Sequence, residues 1–291
     1  MASTTAELMA LFRALETVRR PRAARLFEDP WAREFLRPSL RAVVAAARAP
    51  GVHGAVCWII DTGWPGARTA GVARTRFIDD ALGEALAAGA RQVLILGAGF
   101  DARALRIRAL AGVPVFEVDL PETSRAKRER LLRRGPLPAN VRYVEADLAR
   151  EPLADVLAAA GFDSAAPSFA VWEGVTNYLT AEAVDATLRA LAKRCAPGSR
   201  ILFTYMDRAV LDGTRSFEGT AQVARLLRRV REPWRFGLDP AALPAYLDER
   251  GLTLVRDAGA DEMRARLLGP SPRHLRGYGF YHAALAEVRG S

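Results

Sequence analysis

The stretch "QVLILGAGFDAR", residues 92–103, decides how the chain is read. A short apolar run, Val93–Leu96, passes directly into a glycine-rich turn. That pattern is a buried strand ending where an α/β sheet meets a ligand. Several nucleoside-bearing ligands suit such a turn, so the surrounding sequence has to separate them.

Six further apolar runs follow at intervals: "PVFEVD" (114–119), "VRYVEAD" (141–147), "SFAVWEG" (168–174), "RILFTYM" (200–206), "LTLVRD" (252–257) and "GFYHAALAEV" (279–288). Helical segments fit between the first five, such as "AEAVDATLRALAKRC" (181–195), which ends at the Pro/Gly stop "APGS". Near-continuous apolar strands separated by helices predict a parallel sheet covered on both faces. The expected fold is α/β: a doubly wound, Rossmann-like, seven-stranded and mostly parallel sheet. Residues 1–90 read as an N-terminal helical cap within the same domain, broken at "FEDPW", "RAPGVHG" and "DTGWPGA". Residues 91–291 read as the core, and 207–250, long and Pro/Trp-containing, as an inserted lid.

Composition narrows the setting. The chain has 291 residues, half of them hydrophobic, which suits one large domain. No run of about 18 uncharged apolar residues exists, so no membrane association is expected. The first twenty residues mix Glu7, Arg13 and Glu16 into an apolar run and read as an amphipathic helix, not a signal peptide. The only cysteines, Cys57 and Cys195, sit in apolar company and read as buried free thiols of a cytoplasmic protein. Scattered His53, His274 and His282 lack metal-ligand spacing, so no metal site is expected. The net charge of +9 is carried almost wholly by arginines spread from end to end among acids. Even the densest run, "SRAKRERLLRR" (124–134), places Leu131 and Leu132 on one helical face and charge on the other. A solvated surface explains this charge, and no nucleic-acid partner is expected.

In a doubly wound sheet the residues that end each strand face the ligand. Gly97-Ala98-Gly99 allow close approach to the backbone at a helix N-terminus. "GAGFDA" also satisfies the G-x-G-x-x-A nucleotide pattern. Asp119 follows Gly99 by 20 residues and suits two ribose hydroxyls, whether the ligand is NAD or S-adenosylmethionine. Asp101 separates the two: a carboxylate there would repel a pyrophosphate but suits cationic amino and sulfonium groups. Asp147, with the Leu148 amide beside it, stands where an adenine amino group would donate. Glu173 stands at the mouth of the central sheet. Four acids on four successive strand ends fit an uncharged nucleoside carrying a cation.

The chain resembles the leucine carboxyl methyltransferase-like family of class I methyltransferases, in its bacterial small-molecule branch. The resemblance rests on "LFEDPWA" (26–32), "GVARTRFIDDAL" (71–82), "VLILGAGFDAR" (93–103), "FEVDLP" (116–121), "ADL" (146–148) and "EGVTNYL" (173–179), in that order. It implies S-adenosylmethionine as cofactor, with Arg74 pairing the methionyl carboxylate, Gly97 beneath it and Asp119 on the ribose. Asp147 and Leu148 would meet the adenine, and Glu173 the methionyl end. The expected contact set is Arg74, Gly97, Ala98, Gly99, Asp101, Asp119, Leu120, Asp147, Leu148 and Glu173.

Methyl transfer is an in-line displacement, so positioning and desolvation do most of the work. A carboxylate acceptor arrives ionised and needs no base, whereas a phenol or alcohol usually wants one. The sequence offers no compelling base, which favours a small-molecule carboxylate, with phenol or hydroxyl methylation as the alternative. An NAD(P)-dependent oxidoreductase is a more distant alternative. Tyr178 and Arg150 are the acceptor-site candidates. Where protein-modifying members of the family place an arginine after Asp-Leu, this chain has Ala149, with Arg150 one further on. A cap arginine or Arg150 is then expected to hold the acceptor. The acceptor's identity and the oligomeric state stay open at this level.

Overall fold

The computed structural model describes residues 4–222, 234–269 and 275–290. His274 and residues 223–233 of the expected lid therefore lie outside the described residues.

Every apolar run of the sequence is a strand. They are β1 (Gln92–Leu96), β2 (Val115–Asp119), β3 (Val141–Glu145), β4 (Ser168–Trp172), β5 (Arg200–Met206), β6 (Leu252–Gly259) and β7 (Tyr281–Val288). They form one sheet in the order β3-β2-β1-β4-β5-β7-β6. The first five are parallel, while β7 inserts antiparallel between β5 and β6. The strand order therefore reverses at β1 and β4, and the crevice at their carboxyl ends is where such sheets bind ligands.

Alternation along the strands builds two cores. Leu94, Leu96, Phe116, Val118, Ala170 and Trp172 face one layer, packed with Leu157, Leu188 and Leu247. Val93, Ile95, Val115, Phe169 and Val171 face the other, packed with Ile78, Leu82 and Met263. Both faces are covered, which is why the strands read as continuous apolar runs rather than alternating ones.

Four helices precede β1: α1 (Thr4–Val18), α2 (Pro38–Ala46), α3 (Val52–Gly63) and α4 (Ala67–Ala87). Although α4 falls within the stretch read as cap, it is a layer of the sheet. Its Ala70, Ala73, Phe77, Ile78, Ala81, Leu82 and Ala85 recur at helical spacing and pack on β1, β2 and β4. The first helix instead packs with Phe35, Leu36 and Phe100 in a separate small core above the strand ends.

The segment after β1 departs from the expected full helix. It has one helical turn, α5 (Arg103–Arg106), and a 3₁₀ turn at Arg108–Leu110. The reason is electrostatic: Arg103 and Arg106 turn inward to buried acids instead of alternating with apolar positions. Asp101 therefore precedes a single turn, and no sustained helix dipole acts on it. The following helices are α6 (Pro121–Leu132), α7 (Leu153–Ala159) and α8 (Ala181–Arg194). Thr180 caps the last through a hydrogen bond from the Ala183 amide. Among the described residues no helix is long and apolar enough to cross a membrane.

Candidate functional site

A cavity of about 390 Å³ opens over the carboxyl ends of β1, β2, β3 and β4. Its floor is the glycine turn with Asp119, Asp147, Leu148, Glu173 and Val175, and Thr5, Met9, Phe12 and Arg13 of α1 lie across it. Trp64, Tyr178, Trp234, Tyr278 and Tyr281 complete the wall. Every expected cofactor residue lines this one cavity: Arg74, Gly97, Ala98, Gly99, Asp101, Asp119, Leu120, Asp147, Leu148 and Glu173.

The glycines have separate reasons. Gly97 has φ +62°, and a Cβ on it would lie 2.3 Å from Val175 Cγ2. Both the backbone conformation and the packed neighbour exclude a side chain there. Gly71 on α4 lies under the roof, where a Cβ would meet the movable end of Met9 at 2.6 Å.

Asp119 and Asp147 are held mainly by backbone amides. One oxygen of Asp119 accepts from the Gly99 amide and the other from the Leu120 amide, the second at 2.7 Å. Burial pushes the Asp119 carboxyl up, while the two amides pull it down. Each oxygen still has acceptor capacity for a further donor. Asp147 accepts from the Ala149 amide at 3.0 Å.

Asp101 and Glu173 are held by guanidinium groups. The Arg103 backbone amide donates to Asp101 Oδ1 at 2.7 Å, and its Nη1 donates to Asp101 Oδ2. The same Nη1 reaches Glu173 Oε2 at 3.0 Å, and Nε donates to Asp79 at 2.9 Å. Arg74 Nε donates to Glu173 Oε1 at 2.8 Å, and its guanidinium lies 5.0 Å from the Tyr281 ring centre. Burial alone would raise the Asp101 carboxyl, but the Arg103 charge, then Lys127, hold it at about 2. Glu173 is likewise lowered against its own burial, by Arg103 and then Arg74. Asp101 and Glu173 are thus paired with arginines within the protein while still lining the cavity.

The ion pairs continue behind the site. Arg106 pairs Asp79 at 2.7 Å and approaches Asp29 at 3.9 Å, and Arg13 of α1 pairs Asp29 at 2.8 Å. Arg13 Nη2 also donates to the Phe100 carbonyl in the glycine turn at 2.5 Å. Sequence reasoning missed Arg103, Arg106 and Asp79. The available signal was the "DAR" triplet, whose arginine immediately follows the turn.

The remaining candidates separate. Tyr178 lines the cavity, within an aromatic group formed with Trp64, Trp234, Tyr278, Phe280 and Tyr281. Arg150 does not line it: its side chain is 85% exposed and pairs Asp147 at 3.5 Å. Strand β3 ends before it, and the exposed Ala149 takes the place at the cavity rim instead. Of the cap arginines, Arg13 and Arg74 line the cavity among the described residues, and both are engaged. His53 Nε2 donates to the Leu15 carbonyl at 3.2 Å, and His282 Nδ1 lies 3.0 Å from Asp257 Oδ2. Neither histidine lines the cavity. Among the described residues no group of three metal-ligating side chains occurs.

Comparison with known proteins gives the family. The leucine carboxyl methyltransferase family model matches residues 6–192. A protein of Frankia alni, whose name gives it as an S-adenosyl-L-methionine-dependent methyltransferase, is 38% identical over 93% of this chain and 90% of its own length. A relative from Mycobacterium sp. (strain JLS) with the same kind of name is 38% identical over 192 residues, and the chain spans 60% of its length. The crystal structure of a DUF574 family protein from Streptomyces avermitilis superposes with TM-score 0.61 at 17% identity, covering 95% of this chain and 96% of that one. This last likeness bears on the fold. The chain belongs to the leucine carboxyl methyltransferase family.

Proposed function

We propose that the chain methylates an oxygen of a small-molecule acceptor, most specifically a carboxylate, using the cavity above β1–β4. The residues fit the cofactor by the chemistry of their donors and acceptors. Asp119 offers a carboxylate with spare acceptor capacity to a ribose diol, and Asp147 with Leu148 flanks the adenine. Arg74 has its Nε on Glu173, while its outer nitrogens meet only the Met9 sulfur, at 3.7 Å, among the described residues. Those nitrogens suit the methionyl carboxylate, and Glu173 and Asp101 suit the ammonium. Bound S-adenosylmethionine supplies an electrophilic methyl group on a positively charged sulfur.

The observation that carries the oxygen acceptor is the aromatic end of the cavity. Trp64, Tyr178, Trp234, Tyr278 and Tyr281 line it, no described histidine faces it, and the described cations lining the cavity, Arg13 and Arg74, are both paired. Tyr278 and Tyr281 are no bases: burial pushes their phenols up. An acceptor that arrives already ionised needs none. Charge is lost as an anionic oxygen takes a methyl group from a cation, so walls that exclude water favour the transition state over the solvated reactants. An arginine clamp on the acceptor would hold the ionised reactant more tightly than the neutral product. Trp234 Nε1, buried and without a hydrogen-bond partner among the described residues, is a neutral donor in this wall. A cytoplasmic setting belongs to the same reading, supported by the buried free thiols of Cys57 and Cys195.

The test is methyl transfer to a panel of small carboxylic acids and phenols, with the product treated with mild base. A base-labile ester and a rate nearly flat from about pH 6 to 9 are expected. A base-stable ether, or a rate rising steeply toward pH 10, would move the acceptor to a phenol or hydroxyl.

A further inference from the structure

Arg103 is 2% exposed and does not line the cavity, yet it touches both acids of the methionyl end. Its Nε is anchored on Asp79 of α4. One planar group thus ties a helix of the sheet layer, the glycine turn and the end of β4 together. Glu173, held on Oε2 by Arg103, offers Oε1 to Arg74. Arg74 is thereby fixed by its inner nitrogen and by the Tyr281 ring, and its outer edge is turned to the cleft.

We propose that Arg103 is the positioning residue of the methionyl end: it sets Asp101 and Glu173 so that Arg74 presents its outer nitrogens to the cofactor's carboxylate. The inference rests on the placement of the methionyl group at Arg74 and Glu173. Stability alone is a poor reason for such a cluster. Buried ion pairs rarely outperform well-packed apolar side chains, because each charge must first leave water. Geometry supplies the better reason. A lysine offers its donors from one freely rotating nitrogen, whereas the planar fork holds Nη1 on Asp101 and Glu173 and Nε on Asp79 at fixed angles. Without Arg103, Asp101 and Glu173 would face each other as like charges, and Glu173 would have to swing to reach another donor. Arg74 would follow it. The adenosyl end would not, because Asp119 is held by the Gly99 and Leu120 amides.

The experiment compares two ligands on the full chain by calorimetry. S-adenosylhomocysteine carries the amino-acid end, and methylthioadenosine lacks it while keeping the nucleoside and sulfur. In Arg103→Met, affinity for S-adenosylhomocysteine should fall at least roughly tenfold. Affinity for methylthioadenosine should stay within about twofold, as expected for an independent site. Parallel loss of both ligands by a folded variant, or no loss of either, overturns the proposal. Arg103→Lys, which keeps the charge without the three-way bridge, should show the same split and carries the comparison if the methionine variant does not fold. Failure of the wild-type chain to bind S-adenosylhomocysteine would instead remove the cofactor placement itself.

Discussion

At the ends of β2 and β3, Asp119 and Asp147 rest on backbone amides; at the ends of β1 and β4, Asp101 and Glu173 are clasped by arginines. The difference separates two uses of a carboxylate. An acid held by amides keeps its charge and spare lone pairs, so it can receive hydroxyl groups. An acid held by guanidinium is neutralised, and its value lies in where it fixes its partner. The adenosyl half of the cleft is therefore a set of acceptors, and the methionyl half is a scaffold of ion pairs.

The largest effect should come from breaking the scaffold at the cleft surface. Arg74→Met leaves Glu173 short of one partner and the ligand carboxylate unpaired, and breaking a buried pair costs about 3–5 kcal/mol. Affinity for S-adenosylmethionine should fall by at least roughly a hundredfold, with methylthioadenosine little affected. A loss below about threefold in a titration would mean that Arg74 does not hold the ligand.

Asp119→Ala attacks the other half. It removes charge-assisted bonds of about 1.5–3 kcal/mol each before compensation. Both ligands should weaken by at least roughly tenfold, so the pattern across the pair differs from that of Arg74→Met. Equal binding to wild type and variant would take Asp119 out of the site.

A third prediction concerns the fold. The Asp101 carboxyl is lowered from 3.8 to about 2. A lowered acid contributes stability that is fully present above its unfolded value and is lost as pH falls through its folded value. Between pH 4 and 2 the wild type should therefore lose about 2 kcal/mol through this group that Asp101→Asn does not lose. Urea unfolding of both proteins across that window measures it. Curves that run parallel would show Asp101 unpaired in solution. The smallest effect should be that of Arg150→Ala. Its side chain is exposed and its ion pair lies on the surface, where such pairs contribute about 0–1 kcal/mol. Acceptor KM should be unchanged within about twofold, and a large rise would place Arg150 at the acceptor after all.

The same contrast explains what could be read in advance. Strands covered on both faces are apolar throughout, so "QVLIL" and its counterparts announce the sheet, and the sheet's chirality puts its ligand at the strand ends. Gly97, Asp119, Asp147 and Glu173 each stand at or within two residues of the end of an apolar run, and are legible for that reason. Arg103 and Asp79 are not, because a pair separated by 24 residues leaves no periodic trace in an arginine-rich chain. Helix α4 was open to a better reading. Its apolar positions 70, 73, 77, 78, 81, 82 and 85 form one stripe, which marks a helix lying on a sheet more than a cap. Arg150 was a plausible acceptor residue by its neighbours in sequence. Only the turn after β3, which leaves Ala149 at the cavity rim and Arg150 in solvent, decides against it.

A crystal structure of the chain with S-adenosylhomocysteine tests the division of the cleft most directly. The account predicts both ribose hydroxyls within hydrogen-bonding distance of Asp119, and the ligand carboxylate on the outer nitrogens of Arg74, with the Arg103 bridge between Asp101 and Glu173 intact. A ligand whose carboxylate lies away from Arg74, or whose ribose lies away from Asp119, would contradict it.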